Sequence, residues 1–160
     1  EDGANNIPAF PNAQYFAPKD DWDYFTSPDV IDNNPQIKNS VIPLKDLGIL
    51  ELIGDGFRFT PEISAISTPG HTPGHVSVLI TSFGEKAIIL GDVYHNPAQI
   101  SENDWCAIFD IDKEAAIKTR RTITDSLQDE NIIAAAPHFD NLKAIGKVHG
   151  DKNKRVWRPL

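Results

Sequence analysis

The sequence predicts an α/β fold. Three observations carry this. Short apolar or β-branched runs recur after residue 56, each bounded by turn residues. One amphipathic stretch, residues 113–128, is long enough for about four helical turns. The chain has 160 residues, 40% apolar and 24% charged, which is the make-up of one globular domain or part of one.

In chain order, residues 1–40 come first. They are polar and punctuated by Pro8, Pro11, Pro18, Pro28 and Pro35, with Phe10, Tyr15, Phe16, Trp22, Tyr24 and Phe25 scattered among them. A short strand near Ala13–Ala17 is expected there. A helical turn should follow, with Pro18 or Asp20 near its start and the Asp21–Phe25 run inside it. The stretch has too little periodicity to form a core alone, so it is expected to be an irregular segment that packs onto something else.

Beyond residue 40 the pattern changes. Phe57–Thr60 and Ile63–Ser67 read as strands. Pro69-Gly70 reads as a turn, in which proline sets φ and glycine supplies the φ > 0 position. Val76–Thr81 is β-branched and strand-like, and Gly84 breaks the chain. Ala87–Leu90 reads as a buried strand ending at Gly91-Asp92. Asp112 is placed to cap the 113–128 helix, with Glu114 in its first turn. Ala116, Ile123 and Leu127 share one face, which Arg120 interrupts. Ile132–Ala136 reads as another buried strand, ending at Pro137-His138. Lys143–His149 and Arg155–Trp157 flank a turn at Gly150–Asn153 and read as a terminal hairpin.

Formal net charge is −8. An acidic chain lacks the basic footprint that nucleic acid requires and is repelled by anionic membrane surfaces, so neither is an expected partner. No apolar run approaches the roughly 20 residues of a membrane span. Cys106 is the only cysteine, which excludes an internal disulfide and zinc–thiolate clusters. It reads as a buried or half-buried thiol. Residues 1–15 show no basic region followed by an apolar stretch, so no signal peptide is recognisable. The chain starts at Glu1 and contains no methionine, so a processed or truncated N-terminus is expected. A cytoplasmic origin is favoured over a secreted one.

His71, Asp92 and His138 stand out because each follows an apolar strand that ends abruptly. In layered α/β folds, ligand crevices form at such strand ends. Imidazole and carboxylate together suit zinc and other first-row metals. Two histidines and a carboxylate also make up non-haem iron triads, but those place a histidine and the carboxylate two residues apart, which is not seen here.

The local motifs are more specific. Thr68-Pro-Gly-His71-Thr-Pro-Gly-His75, an apolar strand, then Ile89-Leu-Gly-Asp92, and later Ala136-Pro-His138-Phe139, resemble the metallo-β-lactamase-fold hydrolase superfamily. Phe10-Pro-Asn-Ala-Gln-Tyr15, Asp21–Phe25, Gly91-Asp-Val-Tyr-His95-Asn-Pro-Ala-Gln99, Phe109-Asp-Ile-Asp112 and Trp157-Arg-Pro159 extend the similarity to its methyl-parathion-hydrolase-like and lactonase-like branch. The resemblance implies the C-terminal part of an αββα sandwich, with 1–160 a partial domain. It also implies metal ligation by His71, Asp92 and His138. Asp92 would bridge two metals, zinc first with manganese or iron compatible, and would orient a metal-bound hydroxide without being the nucleophile. The implied substrates are small molecules with ester, lactone or phosphotriester bonds, and a homodimer is compatible with the branch. His75 is expected to support the His71 loop, and His95 to stand beside the metals or the substrate.

The superfamily's His-x-His-x-Asp-His signature does not occur in this chain, and no histidine precedes His71. The expectation is therefore half of an active site, with little or no activity by itself and with apolar sheet surface left uncovered. Two other readings share these residues. One is a metal-free binding relative of the fold. The other is an iron-containing oxidoreductase or sulfur-handling member.

Overall fold

The computed structural model describes residues 8–140, 142–152 and 154–160. Asn153 of the expected terminal turn, and residues 1–7 of the irregular segment, lie outside these. The chain divides into two compact units at Ile53/Gly54.

The first unit carries β1 (Tyr15–Pro18), α1 (Lys19–Phe25), α2 (Pro28–Ile31), a π-helical turn at Ile37–Val41, α3 (Ile42–Asp46) and β2 (Leu50–Ile53). Pro18 holds φ −60° and starts α1, and Asp20 and Asp21 sit favourably in its first turn. The Thr26 hydroxyl donates to the Trp22 carbonyl and closes the helix. Pro28 then opens α2 at a position where a missing N–H costs nothing. The intervening helices form the crossover that a parallel pair needs, so β2 lies parallel to β1, with Tyr15 opposite Leu50 and Pro18 opposite Ile53.

The second unit is a six-stranded sheet in chain order: β3 (Ile63–Ser67), β4 (Val76–Ser82), β5 (Glu85–Ile89), β6 (Ile133–Ala135), β7 (Ile145–His149) and β8 (Val156–Pro159). Among the described residues of this sheet, only β5 and β6 pair in parallel, and α4 (Lys113–Asp129) lies between them in sequence. Phe83 and Gly84 join β4 to β5 with φ of 49° and 83°, the double positive φ of a twisted two-residue hairpin. Asp112 caps α4 by accepting from the Ala115 N–H at 2.9 Å.

Ala116, Arg120, Ile123, Thr124 and Leu127 form the buried stripe of α4. Ile123 and Leu127 belong to a core with Ile88, Leu90, Ala134 and Val148. Each fully buried isoleucine or leucine contributes roughly 1.5–3 kcal/mol. The other face of the sheet is also apolar: Ile89, Ala135 and Ile145 lie in one row across neighbouring strands. Ile89 is 42% and Ile145 54% exposed, and neighbouring Ile133 is 36% exposed.

The expected strand at Phe57–Thr60 does not form. Among the described residues, this stretch makes a single antiparallel bridge, Arg58 to Ser64. The Thr60 hydroxyl accepts from the Glu62 and Ile63 N–H groups and tightens the turn. Pro61 has no N–H to extend a ladder. Apolar composition suggested a strand, but the turn closes too early for one.

Candidate metal centre

The His71 loop starts where β3 ends. The Thr68 N–H donates to the His75 carbonyl at 2.9 Å, and the Gly70 N–H donates to the Thr72 carbonyl at 3.0 Å. Gly70 has φ 137°, and a Cβ there would lie 2.3 Å from the backbone of Ala116 in α4. Only glycine allows this approach. Gly70→Ala is expected to destabilise the second unit by at least about 2 kcal/mol, through overpacking and a strained φ. Urea denaturation measures this, and a wild-type midpoint would show that the loop does not depend on its seat against α4.

The two histidines of the doubled Thr-Pro-Gly-His block have different jobs. His75 faces inward. Its Nε2 accepts from the Asp92 N–H at 2.9 Å, so the ring proton sits on Nδ1, 3.0 Å from the Thr68 carbonyl. The Thr68 hydroxyl lies 3.0 Å from that of Ser77, which donates to the Leu90 carbonyl. This network ties the end of β3 to the Leu90-Gly91-Asp92 turn. A Cβ on Gly91 (φ 57°) would lie 2.7 Å from His75 Nε2, so the glycine makes room for the ring.

His71 approaches the side chain of the same aspartate, its ring set edge-on to that of His75 at 6.2 Å. Its Nε2 is 3.5 Å from Asp92 Oδ2, and His138 Nε2 is 2.5 Å from Asp92 Oδ1. His138 follows β6 and is anchored by its neighbour Phe139, which is buried and meets the Trp157 ring edge-on at 5.1 Å. The structure thus brings His71, Asp92 and His138 together from three separate strand ends. Burial works to raise the Asp92 carboxyl pKa. The hydrogen bond from His138 and the neighbouring imidazoles of His71, His138 and His75 outweigh it and hold the carboxyl below its ordinary value.

His95 is closer to the centre than a supporting role requires. Its ring lies between His71 (5.0 Å) and His138 (4.7 Å) and meets Phe109 edge-on at 4.8 Å. Donor atoms of Asp92, His95 and His138 all lie within 4.8 Å of one another. Burial, and then the positive character of His138 and His71, depress the His95 pKa and favour the neutral ring. Its Nδ1 is buried without a hydrogen-bond partner among the described residues.

Three residues at this centre escape the sequence reading. Asp110, with a side chain 0% exposed, faces His71 Nδ1 at 3.3 Å. Arg120 pairs with Asp110 inside the unit. Phe109 sets its ring edge-on to both His71 and His95. Two signals were present: Phe109 and Asp110 lie in the Phe109-Asp-Ile-Asp112 motif, and an arginine in the apolar stripe of a helix requires a buried partner.

The donor set fits a metal ion. One carboxylate turns each of its oxygens to a different imidazole nitrogen, and borderline nitrogen and hard oxygen donors suit zinc, manganese or iron. The His95 ring offers a further nitrogen within 4.8 Å of the donor atoms of Asp92 and His138.

No protein-family model matches the chain, and no curated protein does. Solved structures do. The chain is similar to the hydrolase AbOPH of the beta-lactamase superfamily, at 24% identity and TM-score 0.84, over 94% of this chain and 56% of that one. It is similar to AidC, a dizinc quorum-quenching lactonase, at 21% identity and TM-score 0.76, over 99% of this chain and 58% of that one. A probable metal-dependent hydrolase from Staphylococcus aureus matches at 20% identity and TM-score 0.69, over 94% of this chain and 54% of that one. The chain has the metallo-β-lactamase fold and corresponds to its C-terminal part. It spans a little over half the length of these structures.

Proposed function

We propose that the complete protein is a metal-dependent hydrolase of ester, lactone or phosphotriester bonds. The observation that carries this reading is the Asp92 carboxylate, which meets a different imidazole at each oxygen. The hydrolases and lactonase of the same fold support it.

His71, Asp92 and His138 would hold the metal. When bound, zinc would supply Lewis acidity toward a carbonyl or phosphoryl oxygen and lower the pKa of a water molecule. Asp92 orients and does not attack. Its backbone N–H is committed to His75, so the carboxylate is presented on a fixed turn. His95, kept neutral, stands beside the three ligands as a hydrogen-bonding group for substrate. Phe109 borders the site with an exposed ring and offers apolar surface to a substrate's non-reacting part.

Three donors hold one metal weakly, so the 160-residue chain alone is expected to turn over little substrate. The test uses the longest native product. Its zinc, manganese and iron content is measured, and chromogenic esters, lactones and phosphotriesters are assayed. Chelation should abolish hydrolysis and metal re-addition should restore it. A native product that binds none of these metals would sink the proposal.

A further inference from the structure

We propose that Asp110, held by Arg120, is a positioning residue that fixes the tautomer of His71 and aims its Nε2 lone pair at the metal side. The proposal rests on the metal reading of His71 and Asp92, and its own observation lies behind His71.

Both members of the pair are buried: the side chains are 0% exposed at Asp110 and 1% at Arg120. The two Asp110 oxygens are committed differently. Oδ2 accepts from the Ala107 N–H at 3.0 Å and from Arg120 Nη1 at 3.3 Å. Oδ1 is left for His71 Nδ1 at 3.3 Å. Arg120 is itself fixed: its Nε donates to the Asn103 carbonyl at 2.9 Å and its Nη2 to Cys106 Sγ at 3.0 Å. The two backbones are clamped side by side. The Ile111 N–H donates to the His71 carbonyl and the Asp112 N–H to the Gly70 carbonyl. The backbone that carries the ring is therefore held beside Asp110.

The consequence is a proton position. An ionised carboxylate only accepts, so the nitrogen facing it carries the hydrogen. With the proton on Nδ1, neutral His71 presents a bare lone pair at Nε2, 3.5 Å from Asp92 Oδ2. Two acceptors then face each other, an arrangement that a cation stabilises. A ligating histidine needs an acceptor behind its far nitrogen, and such partners typically govern metal affinity by 10- to 100-fold.

Asp110→Asn reverses the arrangement with almost no change in shape. The two donors at the Oδ2 position, Ala107 N–H and Arg120, draw the amide oxygen to themselves. The amide NH2 then faces His71 Nδ1 and drives the proton to Nε2, where it blocks the metal side. Loss of catalysis through a wrong tautomer with unchanged geometry has precedent in serine protease triads.

The test uses the full chain labelled with 15N at histidine, without metal, at a pH of about 8, where a free imidazole is neutral. The His71 ring is assigned by its absence in His71→Gln. Wild type should show the proton on Nδ1, and Asp110→Asn should show it on Nε2. Zinc affinity, measured against a competing chelator, should fall roughly 10- to 100-fold in Asp110→Asn. Asp125→Asn is the control. It removes a carboxylate from another buried arginine, Arg155, away from the site, and should leave tautomer and affinity unchanged.

Three results would overturn the proposal: a wild-type ring protonated on Nε2, a folded Asp110→Asn with wild-type zinc affinity, or an equal loss in Asp125→Asn. The first does not use Asp110→Asn, so the test survives if that variant fails to fold. If wild type binds no zinc while its ring carries the proton on Nδ1, the metal reading fails and the tautomer assignment stands.

Discussion

Asp92→Ala is expected to lower hydrolysis by the complete protein about 1,000-fold or more while leaving the fold intact. Lewis-acid stabilisation by bound metal is worth several kcal/mol, and each 1.36 kcal/mol is a factor of ten in rate. The Asp92 carboxylate meets His71 through one oxygen and His138 through the other, so its removal disconnects the proposed ligand set. The backbone is spared because Asp92 touches His75 through its N–H, which alanine retains. Stability should change little and in a pH-dependent way. The folded carboxyl pKa is depressed, so its stabilisation is present above the unfolded carboxylate pKa and is lost as pH falls through the folded value. In acid, variant and wild type should converge. Metal content, turnover and melting temperature measured together decide this. A variant with full metal content and more than a tenth of the activity would remove Asp92 from the centre.

The division of labour among the histidines follows from backbone geometry. His71 and His75 are four residues apart in a doubled motif, and both rings reach Asp92, His75 at its backbone N–H and His71 at its carboxylate. His75 is committed at both ring nitrogens to holding strand ends together. His71 keeps Nε2 on the Asp92 side. The support group and the ligand candidate are therefore mechanically linked: a shift of the Gly91-Asp92 turn moves the His75 ring and, with it, the loop that carries His71.

The positions that sequence made legible share one physical cause. An apolar strand ending in a polar residue at a turn marks a place where the chain leaves the core, and His71, Asp92 and His138 all sit there. The 113–128 helix was readable because Asp112 and the Ala116–Ile123–Leu127 stripe agree with one another, and the observed helix runs to Asp129. The failure at Phe57–Thr60 comes from Thr60-Pro61, where side-chain capping of backbone N–H groups competes with strand pairing. Asp110 was not legible as a partner of His71 because 39 residues separate them and the contact depends on where α4 docks. His95 was expected beside the metals or the substrate, but how near it comes to His71 and His138 was not readable. The 3-10 turn at Gly91–Val93 decides its direction and carries no periodicity to reveal it.

Arg120→Met should destabilise the second unit by about 3–5 kcal/mol, because it keeps much of the aliphatic packing and strands a buried carboxylate. Arg120 is 1% exposed and serves three acceptors: Asp110, the Asn103 carbonyl and Cys106. Domains of ordinary stability have about 5–15 kcal/mol in total, so the loss would lower the melting temperature by roughly 10 °C or more. The magnitude depends on asymmetry. A matched ion pair in the interior contributes little net stability, whereas one orphaned member carries its full desolvation cost. The double variant Asp110→Leu/Arg120→Met removes both charges and should recover most of the lost stability. It should not recover zinc affinity, because His71 would still lack an acceptor at Nδ1. Urea denaturation and chelator competition on the two variants separate these effects. If the double variant stayed as unstable as Arg120→Met, the loss would belong to the shape of the arginine and not to its charge. If it regained wild-type zinc affinity, the buried pair would serve the fold alone.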